Sequence, residues 1–150
     1  MKRAIRSLII AALLAPGLAL AADSAPVDSD PVLERAAAAG ERKDWPAAQA
    51  LLREALAKSP ENADYHNLYA YALRKGANPD VSLVFKHYNE ALRLDPKHRG
   101  AHEYIGEAYL LVGNPAKAKE HLAQLDKLCF LPCSEYRDLK TAIADYERKR

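Results

Sequence analysis

No part of this 150-residue chain carries a glycine-rich loop, a strand-like run, or an apolar stretch long enough to span a membrane. The longest apolar run, Leu8 to Leu20, is interrupted by Pro16-Gly17 and falls short of the roughly 20 residues a spanning helix needs. A one-signed surface is lacking too. Of the 22 basic residues, Lys2, Arg3 and Arg6 precede that run, and the first 21 residues hold none of the 20 acidic ones. The remainder is near neutral, which removes the basic footprint that nucleic-acid binding requires. No serine sits in a nucleophile-elbow setting, and the carboxylates are scattered over polar faces, so neither an enzyme nor a cofactor is expected. Cysteine is scarce, with two residues. Neither follows the apolar run directly, so the thiol for lipid attachment is missing there. Ser134 rather than histidine follows Cys133, which excludes covalent haem.

The basic start, the apolar run and the small residues of Ala19-Leu20-Ala21 together read as a signal peptide over 1–21, cut after Ala21. The expected product is periplasmic or secreted, with no stable membrane insertion once the leader is gone. Residues 22–30 are small and polar with no apolar face, and are expected to form a flexible spacer.

A duplication organises the rest of the chain. Shifted by 36 positions, Ser59-Pro60-Glu61-Asn62-Ala63-Asp64-Tyr65-His66 falls on Asp95-Pro96-Lys97-His98-Arg99-Gly100-Ala101-His102, and Asn78-Pro79 falls on Asn114-Pro115. A unit of this length is the mark of a solenoid, in which each repeat buries its apolar face against its neighbours. Within the unit, His102-x-x-Ile105-Gly106-x-x-Tyr109 precedes Ala118-x-x-x-Leu122. His66-x-x-Tyr69-Ala70-x-x-Leu73 precedes Val84-x-x-x-Tyr88-x-x-Ala91, with two extra residues near Asp80 to Leu83. A first copy shows as Ala48-x-x-x-Leu52-x-x-Ala55 before Pro60. This pattern resembles the tetratricopeptide repeat (TPR) over about residues 30–128. The resemblance implies an all-α fold, a right-handed superhelix of three αα-hairpins (about 31–61, 62–98 and 99–128). Residues 129–150 add a Cys-x-x-x-Cys turn and a capping helix. Ala36, Ala70 and Gly106 are expected where the two helices of each hairpin cross.

Seven helices are expected, over about 31–41, 45–58, 63–76, 79–94, 99–112, 115–128 and 135–148. Asp30-Pro31, Asn78-Pro79 and Asn114-Pro115 each place a capping side chain before a proline, and Asp44, Asn62 and Ser134 offer caps without one. In the last helix Tyr136, Leu139, Ile143 and Tyr146 keep one face apolar, as a solenoid's closing helix must. The rival role for that face is self-association or docking of a partner.

The resemblance further implies a non-enzymatic module that holds a protein or peptide partner in a concave groove lined by the first helix of each hairpin. Its groove positions fall on Asn67, Tyr71, Arg74, Glu103, Glu107 and Leu110, with Tyr71 and Arg74 the strongest candidates for contact. Some members clamp a chaperone's terminal carboxylate with lysine, asparagine and arginine. Here Leu33, Ala37, Leu68, Gly100 and Tyr104 stand at those places, and none supplies a charged donor.

Two features lie outside the repeat pattern. Pro132 turns Leu131 away from helical dihedrals, so the helix ends near Cys129 and a Cys129 to Cys133 disulfide is sterically open, as suits an exported chain. The alternative is a copper-binding or thiol-redox accessory protein using the same two sulfurs. His66 and His102 occupy equivalent positions, as do His87 and His121. Such register is what packing produces, and helix axes roughly 8 to 10 Å apart argue against imidazoles that meet at a metal.

Overall fold

A computed structural model describes residues 30–149. The expected leader, and the spacer up to Ser29, lie outside the described residues. Seven helices account for nearly all of the rest: α1 (Pro31–Glu41), α2 (Trp45–Lys58), α3 (Ala63–Lys75), α4 (Val81–Leu94), α5 (Arg99–Leu111), α6 (Pro115–Leu128) and α7 (Ser134–Arg148). No strand occurs among the described residues.

Helix starts are set by short polar side chains that satisfy first-turn amides. Asp30 accepts from Val32 and Leu33, Asp44 from Ala47, Asn62 from Tyr65, and Asn114 from Lys117. His98 caps α5 through Nδ1, which accepts from the Ala101 amide at 3.1 Å. Two starts differ from expectation. Asn78-Pro79 does not open α4; the two extra residues of that hairpin displace the start to Asp80, whose carboxylate accepts from the Leu83 amide at 3.1 Å. Ser134 is the first residue of α7 rather than its cap, and its hydroxyl turns to Glu135. The compact hairpins show what the insertion changes. In the first and third, Lys43 (φ 58°) and Gly113 (φ 75°) take left-handed conformations just before the capping residue. The amides of Asp44 and Asn114 then reach back to Ala39 and Tyr109 carbonyls at 2.9 and 2.8 Å. The second hairpin has no such residue and takes a longer path.

Helices pair as α1/α2, α3/α4 and α5/α6, each hairpin packs on the next, and the first helices α1, α3 and α5 also touch in succession. Helix α7 lies against α5 and α6 as α3 lies against α1 and α2, in the place of a fourth repeat's first helix. The core is contiguous across these seams. Ala70, Val84 and Tyr88 of the second hairpin bury Ile105 and Ala108 of the third, and Leu110, Ala118 and Leu125 of the third receive Leu139 and Ile143 of α7. Burying a side chain of this size contributes about 1.5 to 3 kcal/mol, so α7 is held mainly by that pair of aliphatic residues. Gly106 serves this seam rather than the hairpin crossing. A Cβ there would fall 2.7 and 2.8 Å from the Leu139 methyls, so only glycine lets α7 approach this closely.

Candidate interaction groove

The groove side of α1, α3 and α5 is built by an offset the repeat length does not reveal. Equivalent positions are 36 apart, yet α3 and α5 touch at n and n+33 or n+34, two or three residues short of that. Tyr71 meets Tyr104, Arg74 meets Glu107, Asp64 meets His98, and Asn67 stands beside Gly100. This stagger aligns an aromatic row. Trp45 sets its ring edge-on to Tyr71 at 5.8 Å, and Tyr71 lies 4.6 Å from Tyr104, centroid to centroid. With Ala37, Gly40 and Leu68 the row lines a concavity of ≈ 280 Å³.

Arg74 fixes the row from behind. Its side chain is 6% exposed. It donates to Glu107 Oε2 at 2.6 Å and to the Tyr88 hydroxyl at 3.3 Å, with its guanidinium 5.4 Å from the Tyr71 centroid and 6.0 Å from that of Tyr104. Burial works against the guanidinium charge, but Tyr88 and Glu107 more than offset it. Burial also pushes the Tyr71 phenol up and that of Tyr104 up to about 12, so both stay neutral at ordinary pH.

The six residues assigned to the groove from sequence therefore divide. Tyr71 is half-buried and faces the concavity. Arg74 and Glu107 are joined to each other, and the pair ties α3 to α5. Leu110 is buried against Leu139 and Ile143 of α7 and presents nothing to the groove. Asn67 is 4% exposed, and its Oδ1 has no hydrogen-bond partner. Glu103 is 9% exposed where α5 meets α7. Burial, then Glu107, Asp138 and Glu135, push its carboxyl up to about 8. Trp45 and Tyr104 were not assigned to the partner surface from sequence. The stagger is the signal that finds Tyr104, because it pairs Tyr71 with Tyr104 rather than with Glu107; Trp45 enters from the start of α2.

The histidines pair in a way that helix-axis spacing does not suggest. His66 and His87 bring their Nδ1 atoms to 2.8 Å with ring centroids 5.0 Å apart; His102 and His121 do so at 2.9 and 5.2 Å. Each imidazole reaches inward from its own helix and closes the gap. The Nε2 of His66 lies 2.8 Å from the Pro60 carbonyl and that of His102 lies 3.1 Å from Pro96. A carbonyl only accepts, so those Nε2 atoms carry hydrogen and the Nδ1 atoms of His66 and His102 accept from His87 and His121. Burial, then the partner ring, holds His87 and His121 down to about 4. Among the described residues no group of three or more histidine, cysteine, aspartate or glutamate side chains converges to hold a metal. The Cys129 and Cys133 sulfurs lie at bonding distance, 2.11 Å, and the loop between them exposes Phe130 and Leu131 fully or nearly so. No described helix is long and apolar enough to cross a membrane.

An all-α stack of hairpins with an aromatic-lined concave face defines the class of protein as a helical-repeat solenoid. No protein-family model matches the chain. Over 95 residues it is 32% identical to the TPR repeat-containing thioredoxin TTL4 of Arabidopsis thaliana, a match spanning 63% of this chain and 14% of that protein's length. Its structure is similar to that of the TPR2B domain of yeast Sti1 in complex with pHsp70, with a TM-score of 0.67. That match has 23% identity and covers 79% of this chain and 95% of the other. The described residues thus share the fold of a TPR domain, an all-α stack of three hairpins closed by α7.

Proposed function

We propose that this chain is an exported interaction module that holds an extended peptide or protein segment in its concave groove and performs no catalysis itself. The observation that carries this is the Trp45, Tyr71 and Tyr104 row, which lines a half-buried apolar concavity walled by α1, α2, α3 and α5. Aromatics in a concave, partly desolvated setting supply much of the energy wherever interfaces have been dissected. The Arg74 to Glu107 link across α3 and α5 pre-orders that face, which lowers the entropic cost of binding. The similarity to a TPR domain solved with pHsp70 supports a peptide or protein partner. Export rests on the leader pattern of residues 1–21, and a Cys129 to Cys133 disulfide suits that destination. A copper or thiol-redox role for the same two cysteines gains no third ligand among the described residues.

The test is photo-crosslinking in the exporting compartment. A crosslinker at Tyr104 captures a partner that one at Lys86, exposed on α4, does not. Capture from a further groove position, Ala37, disappears in Tyr71→Ala/Tyr104→Ala while helicity persists. Undiminished capture in that double variant would place the interaction elsewhere. Arg74 is unsuitable for this purpose because its removal strands Glu107 and Tyr88.

A further inference from the structure

The concavity lined by Trp45, Tyr71 and Tyr104 carries donors with nothing to donate to. Among the described residues neither the Tyr71 and Tyr104 hydroxyls nor the Trp45 indole N–H has a hydrogen-bond partner, although all three rings are half-buried along one apolar hollow of ≈ 280 Å³. Both phenols stay neutral, so each keeps its hydrogen. Acceptors for a visiting N–H are scarce by comparison, because the one carboxylate in the lining, Glu41, is exposed and no strand edge occurs among the described residues. Cations beside the row are engaged, Arg74 with Glu107 and Lys75 against the Tyr71 ring at 5.4 Å. These properties select among backbone conformations. A β-like segment would bring N–H groups that the hollow leaves unsatisfied, which is costly where water is excluded. A helix keeps its carbonyls for its own ladder and, at about 10 to 12 Å across, is too wide to enter. Proline has a carbonyl and no N–H, and in the polyproline II helix no carbonyl is used internally. Such a segment brings what the hollow lacks and omits what it cannot satisfy.

We propose that the Trp45, Tyr71 and Tyr104 row takes a proline-rich segment in the polyproline II conformation, with prolyl rings against the aromatic rings and backbone carbonyls on the phenol and indole donors. This rests on the interaction-module reading and gives the partner its chemistry. The length of the segment follows from the ring spacing, since the steps of 5.8 and 4.6 Å together match about one turn of that helix, roughly 9 Å for three residues. A Pro-x-x-Pro stretch therefore covers the row. Its conformation is already set before binding, so less entropy is lost on docking than for a flexible chain of the same length.

Trp45 is the single tryptophan of the chain, so its emission reports on this site directly. The full chain is titrated with nine-residue peptides built from Pro-Pro-Ser, Ala-Ala-Ser or Leu-Ala-Ser triplets. The proline peptide shifts Trp45 emission saturably and binds about tenfold tighter than either of the others. Tyr71→Phe/Tyr104→Phe, which keeps both rings and loses both hydroxyls, weakens that binding about tenfold while the circular dichroism spectrum is unchanged. Equal or tighter binding of the alanine or leucine peptide, undiminished binding by the phenylalanine variant, or no shift of Trp45 emission up to roughly millimolar proline peptide would each overturn the proposal. The groove crosslink at Tyr104 separates the two readings. A captured segment without proline refutes this inference and leaves the interaction module standing, whereas no groove-specific capture removes both.

Discussion

Acidification should loosen this domain through two imidazoles before it touches most of the carboxylates. His87 and His121 each donate to a second histidine that is itself pinned by a prolyl carbonyl, and burial and the partner ring hold both near 4. In the unfolded chain they titrate near 6.5. A base whose pKa is lowered by folding binds more protons when unfolded, so stability is complete above pH 6.5 and declines as pH falls toward 4. The drop of about two and a half pKa values corresponds to roughly 3 kcal/mol per ring before screening. Both rings are only half-buried, and water reduces this to about 1.5 kcal/mol each, or about 3 kcal/mol together. Glu103 acts oppositely, since a carboxyl raised to about 8 favours the folded state as pH falls through the same range. The assay must therefore compare slopes. Urea unfolding followed by circular dichroism from about pH 7.5 to about pH 4.5 is measured for the wild type and for His87→Gln/His121→Gln. Glutamine still donates to the partner Nδ1 but does not titrate. The wild type should lose about 2 to 3 kcal/mol more than the variant over that interval. Parallel curves would refute the assignment of these imidazoles as buried neutral partners.

Three further outcomes rest on packing. Gly106→Ala drives a methyl into Leu139 and should cost about 1 to 3 kcal/mol, partly relieved when combined with Leu139→Ala; strict additivity in thermal unfolding would contradict the seam. Arg74→Ala strands Glu107 and the Tyr88 hydroxyl and should cost about 2 to 4 kcal/mol, with Arg74→Lys intermediate because an ammonium cannot reproduce the forked contact. Joining Cys129 to Cys133 closes a short loop worth about 2 kcal/mol. Reductant should therefore lower the wild-type melting temperature and leave Cys129→Ser/Cys133→Ser unmoved.

The helices were legible in the sequence because their caps are local chemistry: Asp30, Asp44, Asn62 and Asn114 sit within three residues of the amides they satisfy. Two starts depart from this, and in one of them Ser134 opens α7 as its first residue instead of capping it. Asn78-Pro79 carries the same signature as Asn114-Pro115, but in a hairpin two residues longer the chain bends later and Asp80 takes the role. The groove was legible only in part, because it is made by contacts between repeats. Position counting places Arg74, Glu107 and Leu110 on the concave face. It does not show that Glu107 engages Arg74 across one seam or that α7 covers Leu110 across another. Tyr104 was hidden for the same reason, since its partner Tyr71 is reached through a stagger that no single repeat displays, and Trp45 because it reaches Tyr71 from the start of α2. The imidazole pairs escaped because axis-to-axis distance ignores the reach of side chains.

Those imidazole pairs also bear on how such an array is assembled from parts. Every polar contact of the first pair, from Pro60 through His66 to His87, closes inside one hairpin, and the second repeats it from Pro96 through His102 to His121. The spacing from the proline to its histidine is the same in both, and the later histidine comes two residues sooner in the second because the longer turn lies between the paired rings. A hairpin cut just ahead of its proline thus carries its interior hydrogen bonds with it. Copied, transposed or lengthened at the turn, it leaves no orphaned imidazole in its neighbour, so a new neighbour has only the seam contacts to match, such as Arg74 with Glu107 and Gly106 with Leu139.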